Sequence, residues 1–140
     1  YFDYLIKNYP NTEYAMDSEF KIGLIEDILA SKELYIGRYY FEKKKWIPAI
    51  NRFRTVIDEY DTTIYVEEAL HRLVEVYYKI GLKNEAKKYA KLLGYNYQSS
   101  EWYEKSYSIF DQMYAKNKKE NLKNNKKSNK LIKKFKSLLE

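Results

Sequence analysis

Apolar residues recur at three- and four-residue spacing along most of the chain, which is the period of amphipathic helices. The opening segment, YFDYLIKNYP, already carries one apolar helical face. A longer segment without proline predicts one long helix, or two nearly continuous ones, over residues 13–44. A last helix should begin after Ser99 or Ser100. The pattern therefore predicts about six helices.

Residues that begin and end helices fall at the borders of these segments. Asn11 or Thr12 can cap the long helix, and Pro48 suits the first turn of the next one. Gly81 separates two further helices, and Gly94 is expected to stop the second of them. These signals support the helical periodicity independently.

One internal repeat fits the chain twice, at a distance of 37 residues. The tetratricopeptide signature asks for a small residue and an aromatic in a first helix, then alanine, two apolar positions and a turn residue. The first copy comprises Gly37, Tyr40, Ala49, Phe53, Val56 and Asp61. The second copy, a looser match, comprises Val74, Tyr77, Ala86, Ala90, Leu93 and Gln98. The sequence predicts an all-α tetratricopeptide-repeat α-solenoid, a fold that binds other proteins through its extended surface.

The repeats divide the chain into successive parts. The sequence begins as if partway along a helix and lacks an initiator methionine. We therefore expect this chain to be a piece of a longer protein. The expected parts are the end of a truncated repeat at 1–10, a long helix linking repeats at 11–30, repeats at 31–63 and 64–98, a final helix at 99–115, and a tail at 116–140.

The net charge of +6 would suggest nucleic acid or an anionic membrane as partner. The tail, however, holds ten lysines and two glutamates, which leaves 16 basic and 18 acidic side chains before it. The repeats are therefore slightly acidic. The lysine- and asparagine-rich segment 116–130 is predicted to be disordered because it is too polar to form a core. Residues 131–139 form a candidate amphipathic helix, either solvated or docked on a partner or lipid surface.

Composition argues against catalysis. The chain has no cysteine and one histidine, so thiol chemistry and cysteine-ligated metals are excluded, and a Ser-His-Asp triad is improbable. No glycine-rich phosphate loop or hydrolase motif occurs. We predict no catalytic residues, cofactor or metal. The 17 tyrosines are expected mainly in the core and between helices rather than as a base-stacking platform.

Polar residues cluster on the first helix of the second repeat. Glu67, His71 and Glu75 lie on one helical face, where a cation could bind, although a solvated stripe is the more usual role. In the repeat fold Glu68, His71, Glu75 and Tyr78 are predicted to face the concave groove. Contact with a partner protein is the functional prediction for this set.

Several segments resemble a known family. AINRF, EALHRLVEVYYKIGL and LGYNYQSSEWY, together with the early FDYLIKNYPNTEYAMDS, are similar to the C-terminal part of the BamD family of outer-membrane assembly lipoproteins. The resemblance covers about residues 1–110 and departs at Asp61, where the family turn usually reads YPDT. The lysine-rich tail lies outside it.

The resemblance implies a non-enzymatic scaffold at the periplasmic face of the outer membrane. It implies binding to the POTRA domain of the barrel subunit BamA and to BamE and other small lipoproteins, with unfolded outer-membrane proteins as further clients. It also implies membrane contact through an N-terminal lipid anchor, whose cysteine this chain does not contain. The basic tail, to which the resemblance does not extend, is a separate candidate for membrane contact. Asn51, Arg52 and Arg54 are the candidates for the POTRA contact, because exposed arginines pair with acids.

Two alternatives remain open at this point. A periplasmic coordinator of the Tol-Pal system carries similar YPNTEYA-like turns but would not be expected to carry the LGYNYQSSEWY ending. A nucleic-acid binder acting through the tail is the second alternative, although no nucleic acid is expected.

Overall fold

A computed structural model of the chain has six helices, joined by short turns, within residues 1–137. The structure describes the backbone of that range, and its side chains apart from 113–118 and 121. The helices are α1 (Phe2–Asn8), α2 (Glu13–Glu42), α3 (Trp46–Glu59), α4 (Val66–Lys79), α5 (Lys83–Asn96) and α6 (Glu101–Lys136).

Helix caps lie where the sequence places them. Thr12 precedes α2, and its side-chain oxygen accepts a hydrogen bond from the Ala15 N–H at 3.2 Å. Ser100 precedes α6 and accepts from the Trp102 N–H at 3.1 Å. Each cap satisfies an N–H group that has no partner within its helix, and so fixes where the helix begins.

Each helix packs against the next one along the chain, and α6 packs against both α4 and α5. The C-terminal part of α2 pairs with α3, and α4 pairs with α5, as expected for two consecutive helix–turn–helix repeats. This confirms the all-α repeat fold. No helix within residues 1–137 is both long enough and apolar enough to span a membrane.

The repeat signature accounts for the core. Ala49, Phe53 and Val56 of the first copy are fully buried, as are Val74, Ala86 and Leu93 of the second. Gly37 lies directly against Phe53: a Cβ atom at Gly37 would come within 2.5 Å of the ring. The small residue of the signature therefore makes room for the aromatic ring between α2 and α3.

Two turns use left-handed backbone. Gly81, between α4 and α5, has φ +87°, and Lys44, between α2 and α3, has φ +58°. Glycine adopts this conformation without steric cost. The prediction that Gly94 stops a helix is wrong, because α5 continues to Asn96. Gly94 instead gives space to Tyr103 of α6, whose ring would lie 2.5 Å from an added Cβ.

The tail differs from the sequence prediction. Residues 116–130, expected to be disordered, belong to α6, which continues from Glu101 to Lys136. The packed first part of α6 supplies the helix nucleus, and no glycine or proline interrupts the rest. The lysines in its last turn also stabilise the helix, because their positive charges lie near the negative end of the helix dipole. The separate helix predicted at 131–139 is the end of α6, and its residues 138–139 lie outside the described part of the chain.

Candidate partner-binding surfaces

Arg52 of α3 is bound to Glu33 of α2. Its Nη1 donates to both carboxylate oxygens of Glu33, at 2.9 and 3.1 Å. Glu33 raises the pKa of Arg52, first through these hydrogen bonds and then through its charge. Both bonds use one nitrogen, and the Arg52 side chain remains 40% exposed. The guanidinium is therefore held in place with part of its donor edge accessible.

The three candidate residues spread across the outer face of α3. Asn51 lies near the middle of that face, Arg52 on its α2 side and Arg54 on its α4 side. Asn51 and Arg54 are exposed. A shallow groove beside them is lined by Glu33, Tyr40, Ile47, Pro48, Asn51, Arg52 and Thr55. This face offers hydrogen-bond donors around a partly apolar floor.

Arg54 lies near the aromatic pair Tyr77 and Tyr89. Those rings stack with centroids 5.5 Å apart and planes 3° from parallel. Burial is the main cause of the raised pKa of Tyr77, and the positive charge of Arg54 opposes it. The outer face of α3 thus continues onto an aromatic surface formed by α4 and α5.

A network of charged residues covers the polar face of α4. Arg38 of α2 contacts Glu68 at 3.2 Å, and Arg72 contacts the same carboxylate at 3.3 Å. Arg72 also contacts Glu75 at 2.8 Å. Only 12% of the Glu68 side chain is exposed, so two arginines compensate the desolvation of this acid.

His71 forms the buried centre of the contact between α4 and α6. Its Nδ1 lies 2.8 Å from the Ser106 hydroxyl, and its Nε2 lies 3.7 Å from Glu75. Burial lowers the pKa of His71 to about 4, although the charge of Glu75 acts in the opposite direction. His71 is therefore neutral near pH 7 and serves as a hydrogen-bonding residue of the core.

Trp102 completes this contact from α6. Its ring lies 5.3 Å from the His71 ring, and Lys105 Nζ lies 4.2 Å from its centroid. The Arg72 guanidinium lies 5.8 Å from the same ring. Cations at such distances are attracted by the electron-rich face of an indole. Trp102 thus ties the charged network of α4 to the final helix.

The prediction that Glu68, His71, Glu75 and Tyr78 line an open groove is wrong for the buried members of the set. Glu68 is 9% exposed and is bound by Arg38 of α2 and Arg72 of α4. His71 is 4% exposed because α6 packs against it. Tyr78 packs edge-on against Phe110 of α6 at 5.7 Å. Its buried hydroxyl has no hydrogen-bond partner among the described residues. Glu75 and Tyr78 are each partly exposed, so these two members of the set reach the surface.

Sequence reasoning missed Arg38, Arg72 and Ser106. Arg72 had a local signal, because it lies four residues after Glu68 and three before Glu75. Arg38 and Ser106 had none, since each contacts a residue at least 30 positions away. Such pairs follow from how helices pack, and one helical period does not reveal them.

The proposed cation ladder of Glu67, His71 and Glu75 is not arranged as a metal site. His71 uses Nδ1 for Ser106, while Glu75 pairs with Arg72. Among the described residues, no group of three or more histidine or acidic side chains is placed to hold a metal ion.

Comparison with known proteins identifies the family. The sequence model of a family described as YfiO, outer membrane lipoprotein, matches residues 1–93. This chain belongs to the YfiO family. The matched residues contain both the α2–α3 repeat and most of the α4–α5 repeat, so the candidate surface of α3 lies inside the YfiO match.

Several curated relatives carry the name outer membrane protein assembly factor BamD. The protein from Rickettsia prowazekii is 54% identical over 108 residues, which cover 77% of this chain and 43% of the relative. That from Caulobacter vibrioides is 45% identical over 107 residues, covering 76% and 35%. That from Neisseria meningitidis is 33% identical over 96 residues, covering 69% and 36%.

The chain thus spans less than half the length of these relatives. The resemblance to the BamD family is confirmed. These relatives favour the BamD assignment over the Tol-Pal alternative. The YfiO match ends before α6 begins, so the lysine-rich part of α6 lies beyond it.

Proposed function

We propose that this chain is a non-enzymatic scaffold in outer-membrane protein assembly, acting at the periplasmic face of the outer membrane. The observation that carries the proposal is membership in the YfiO family, with relatives named as assembly factors. The repeat fold supports it, because stacked helices present an extended surface for other proteins.

The partner in this proposal is the POTRA domain of the barrel subunit BamA, bound by the outer face of α3. Arg52 supports this choice, because Glu33 holds its guanidinium while the side chain stays 40% exposed. A guanidinium that is already oriented loses less conformational freedom on binding a carboxylate. Asn51 and Arg54 extend the same exposed face from Arg52 toward α4.

A second surface, on α5, is the candidate for BamE or another small lipoprotein. It combines three lysines with exposed apolar side chains around a shallow depression, lined by Asn84, Lys87, Lys88, Lys91, Leu92 and Tyr95. Leu92 is 40% and Tyr95 90% exposed. Protein interfaces typically have apolar and aromatic side chains at their centre and polar side chains around the rim.

A charge exchange between α2 and α3 tests the POTRA contact. Arg52→Glu alone would place two carboxylates together and weaken the α2–α3 packing. The double variant Glu33→Arg with Arg52→Glu restores the ion pair but reverses the charge that the partner meets. We expect it to lower POTRA capture about tenfold, as Arg54→Glu should, because the partner's complementary charge is now repelled.

The controls separate folding from binding. The double variant should keep its free energy of unfolding within about 1 kcal/mol, since a partly exposed pair contributes little to stability. Lys87→Glu, a matched charge reversal on α5, should leave POTRA capture unchanged. Full capture by the double variant would show that Arg52 acts only within the fold. Absence of capture by the unaltered chain would contradict the proposed function itself.

A further inference from the structure

The second half of α6 projects away from the repeats. Its contacts with α4 and α5 involve Trp102, Tyr103, Ser106, Ile109 and Phe110. All described side chains from Asp111 to Ser137 are exposed. At about 1.5 Å per residue, this part of the helix is roughly 40 Å long. The described side chains of this half of α6 therefore form a long, solvent-exposed surface.

Its lysines are concentrated on one side. With 100° of rotation per residue, seven exposed lysines fall within an arc of about 120°. They are Lys119, Lys123, Lys126, Lys127, Lys130, Lys133 and Lys134. We call them the lysine stripe. It extends for roughly 22 Å along the helix axis.

The stripe carries almost unopposed positive charge. Glu120 is the only acidic residue in the sequence between Lys119 and Lys136. The remaining positions are asparagine, serine and a few apolar residues. Like charges this close repel one another, and an anionic surface would relieve that repulsion while attracting the whole row. The charge therefore indicates an extended anionic partner.

An apolar sector lies opposite the stripe near the end of the helix. Leu131, Ile132 and Phe135 are 61%, 52% and 70% exposed and fall within about 100° of one another. Leu122 is also exposed but lies at the border of the lysine stripe. A helix with apolar residues on one face and lysines on the other can lie in a membrane interface, with the apolar side turned toward the acyl chains.

The residue types favour a lipid surface over the other anionic partners. The sequence from Lys119 to Lys136 contains no arginine, the residue that recognises carboxylates and phosphates through paired hydrogen bonds. Phe135 is its only aromatic residue, whereas single-stranded nucleic acid is bound through successive aromatic platforms. Lysines on flexible stems act as diffuse point charges, which suits a fluid layer of headgroups.

We propose that the second half of α6 docks on the surface of an anionic phospholipid bilayer. The last two turns insert Leu131, Ile132 and Phe135 into the interface, and the lysine stripe is held within about one Debye length of the headgroups. The helix lies on the bilayer and does not cross it. The docked helix would hold the repeats at a fixed height above the membrane, independently of any partner protein.

The test is flotation of the 140-residue chain with vesicles. Binding is compared on vesicles containing about 30% phosphatidylglycerol in phosphatidylcholine, and on pure phosphatidylcholine, at about 0.15 M salt. We expect binding to the anionic vesicles only, and its loss at about 1 M salt, where the Debye length falls to roughly 3 Å. This measurement does not involve a partner protein. Absence of vesicle binding would therefore contradict the membrane proposal without contradicting the proposed scaffold function.

Two variants probe the two faces. Lys126→Gln, Lys130→Gln and Lys133→Gln together should weaken partitioning roughly a hundredfold, because each lysine near an anionic bilayer contributes about fivefold. Ile132→Ala with Phe135→Ala should weaken it at least about tenfold through lost apolar burial, while alanine preserves the helix. The matched control, Lys7→Gln, Lys32→Gln and Lys83→Gln at exposed positions outside the two candidate partner surfaces, changes the net charge equally and should partition as the unaltered chain does.

Three results would overturn the proposal. Equal binding to pure phosphatidylcholine would remove the role of charge, and an equal loss of binding in the matched lysine control would show that net charge alone matters. Retention on a DNA oligonucleotide without vesicle binding would assign the stripe to nucleic acid instead. The salt dependence of the unaltered chain decides the question even if a variant loses helicity in its circular dichroism spectrum.

Discussion

His71 and Ser106 join α4 to α6 through a single buried hydrogen bond, with His71 Nδ1 2.8 Å from the Ser106 hydroxyl. The serine is fully buried and the histidine is 4% exposed. Because water cannot replace either partner, the loss of one leaves the other unsatisfied. This pair therefore connects the second repeat to the final helix.

Ser106→Ala should lower the free energy of unfolding by about 1–3 kcal/mol, because His71 Nδ1 would then be buried without a partner. Ser108→Ala on the same helix is the matched control, since Ser108 is exposed and its hydroxyl donates to the Lys105 carbonyl three residues earlier. It should be neutral or slightly stabilising, because alanine favours helix. Urea unfolding followed by circular dichroism measures both, and equal effects would argue against the buried hydrogen bond.

Stability should fall as the pH is lowered below about 6.5, and His71 should account for a defined part of the loss. Its pKa is lowered to about 4 in the folded state by burial. In the unfolded chain the imidazole protonates first, near its ordinary pKa of about 6.5. The stabilising contribution is therefore complete above that pH and is lost progressively down to about pH 4, below which no further loss occurs.

Between pH 7 and pH 5 this single group should cost about 2 kcal/mol. Unfolding in urea at the two pH values measures it, with His71→Gln as the comparison, because glutamine does not titrate. The variant should show a pH dependence smaller by about that amount. An identical pH dependence in the two proteins would mean that His71 is not held neutral in the folded state.

Gly37 and Gly23 provide a matched pair within α2. Gly37→Ala should destabilise the chain by about 1–3 kcal/mol, because the new methyl group would overlap the buried Phe53 ring. Gly23→Ala should stabilise it by roughly 0.5–1 kcal/mol, since nothing lies within 4 Å of the added carbon and alanine is the better helix former. Thermal unfolding of the two variants, which carry the same chemical change, should therefore shift in opposite directions.

The sequence predicted those features that follow from local periodicity. Phe53 and Leu93 have signature positions, and both are fully buried in the core. Thr12, one of the two predicted caps of α2, is the residue that caps it, and α6 begins after Ser100, one of the two predicted starting points. A cap needs only a short polar side chain next to the helix it begins, so the sequence alone can indicate it. The repeat fold and most of its helix borders could be predicted from the sequence for the same reason.

The candidate site was less predictable. His71 has the spacing of a groove residue, but α6 returns across α4 and buries it, a contact between residues 35 positions apart. Arg52 was predicted as an exposed arginine, yet Glu33 binds it from 19 positions away. Residues 116–130 are too polar to form a core, yet they are helical because they extend the helix nucleus that the packed part of α6 provides.

The most direct test of the scaffold function is sedimentation velocity of the purified chain mixed with the POTRA array of BamA from the same organism. We expect a one-to-one complex, with a dissociation constant of about 10 μM or tighter. Exchanging the charges of Glu33 and Arg52 should weaken that complex about tenfold. Separate boundaries for two folded proteins at about 100 μM would contradict it.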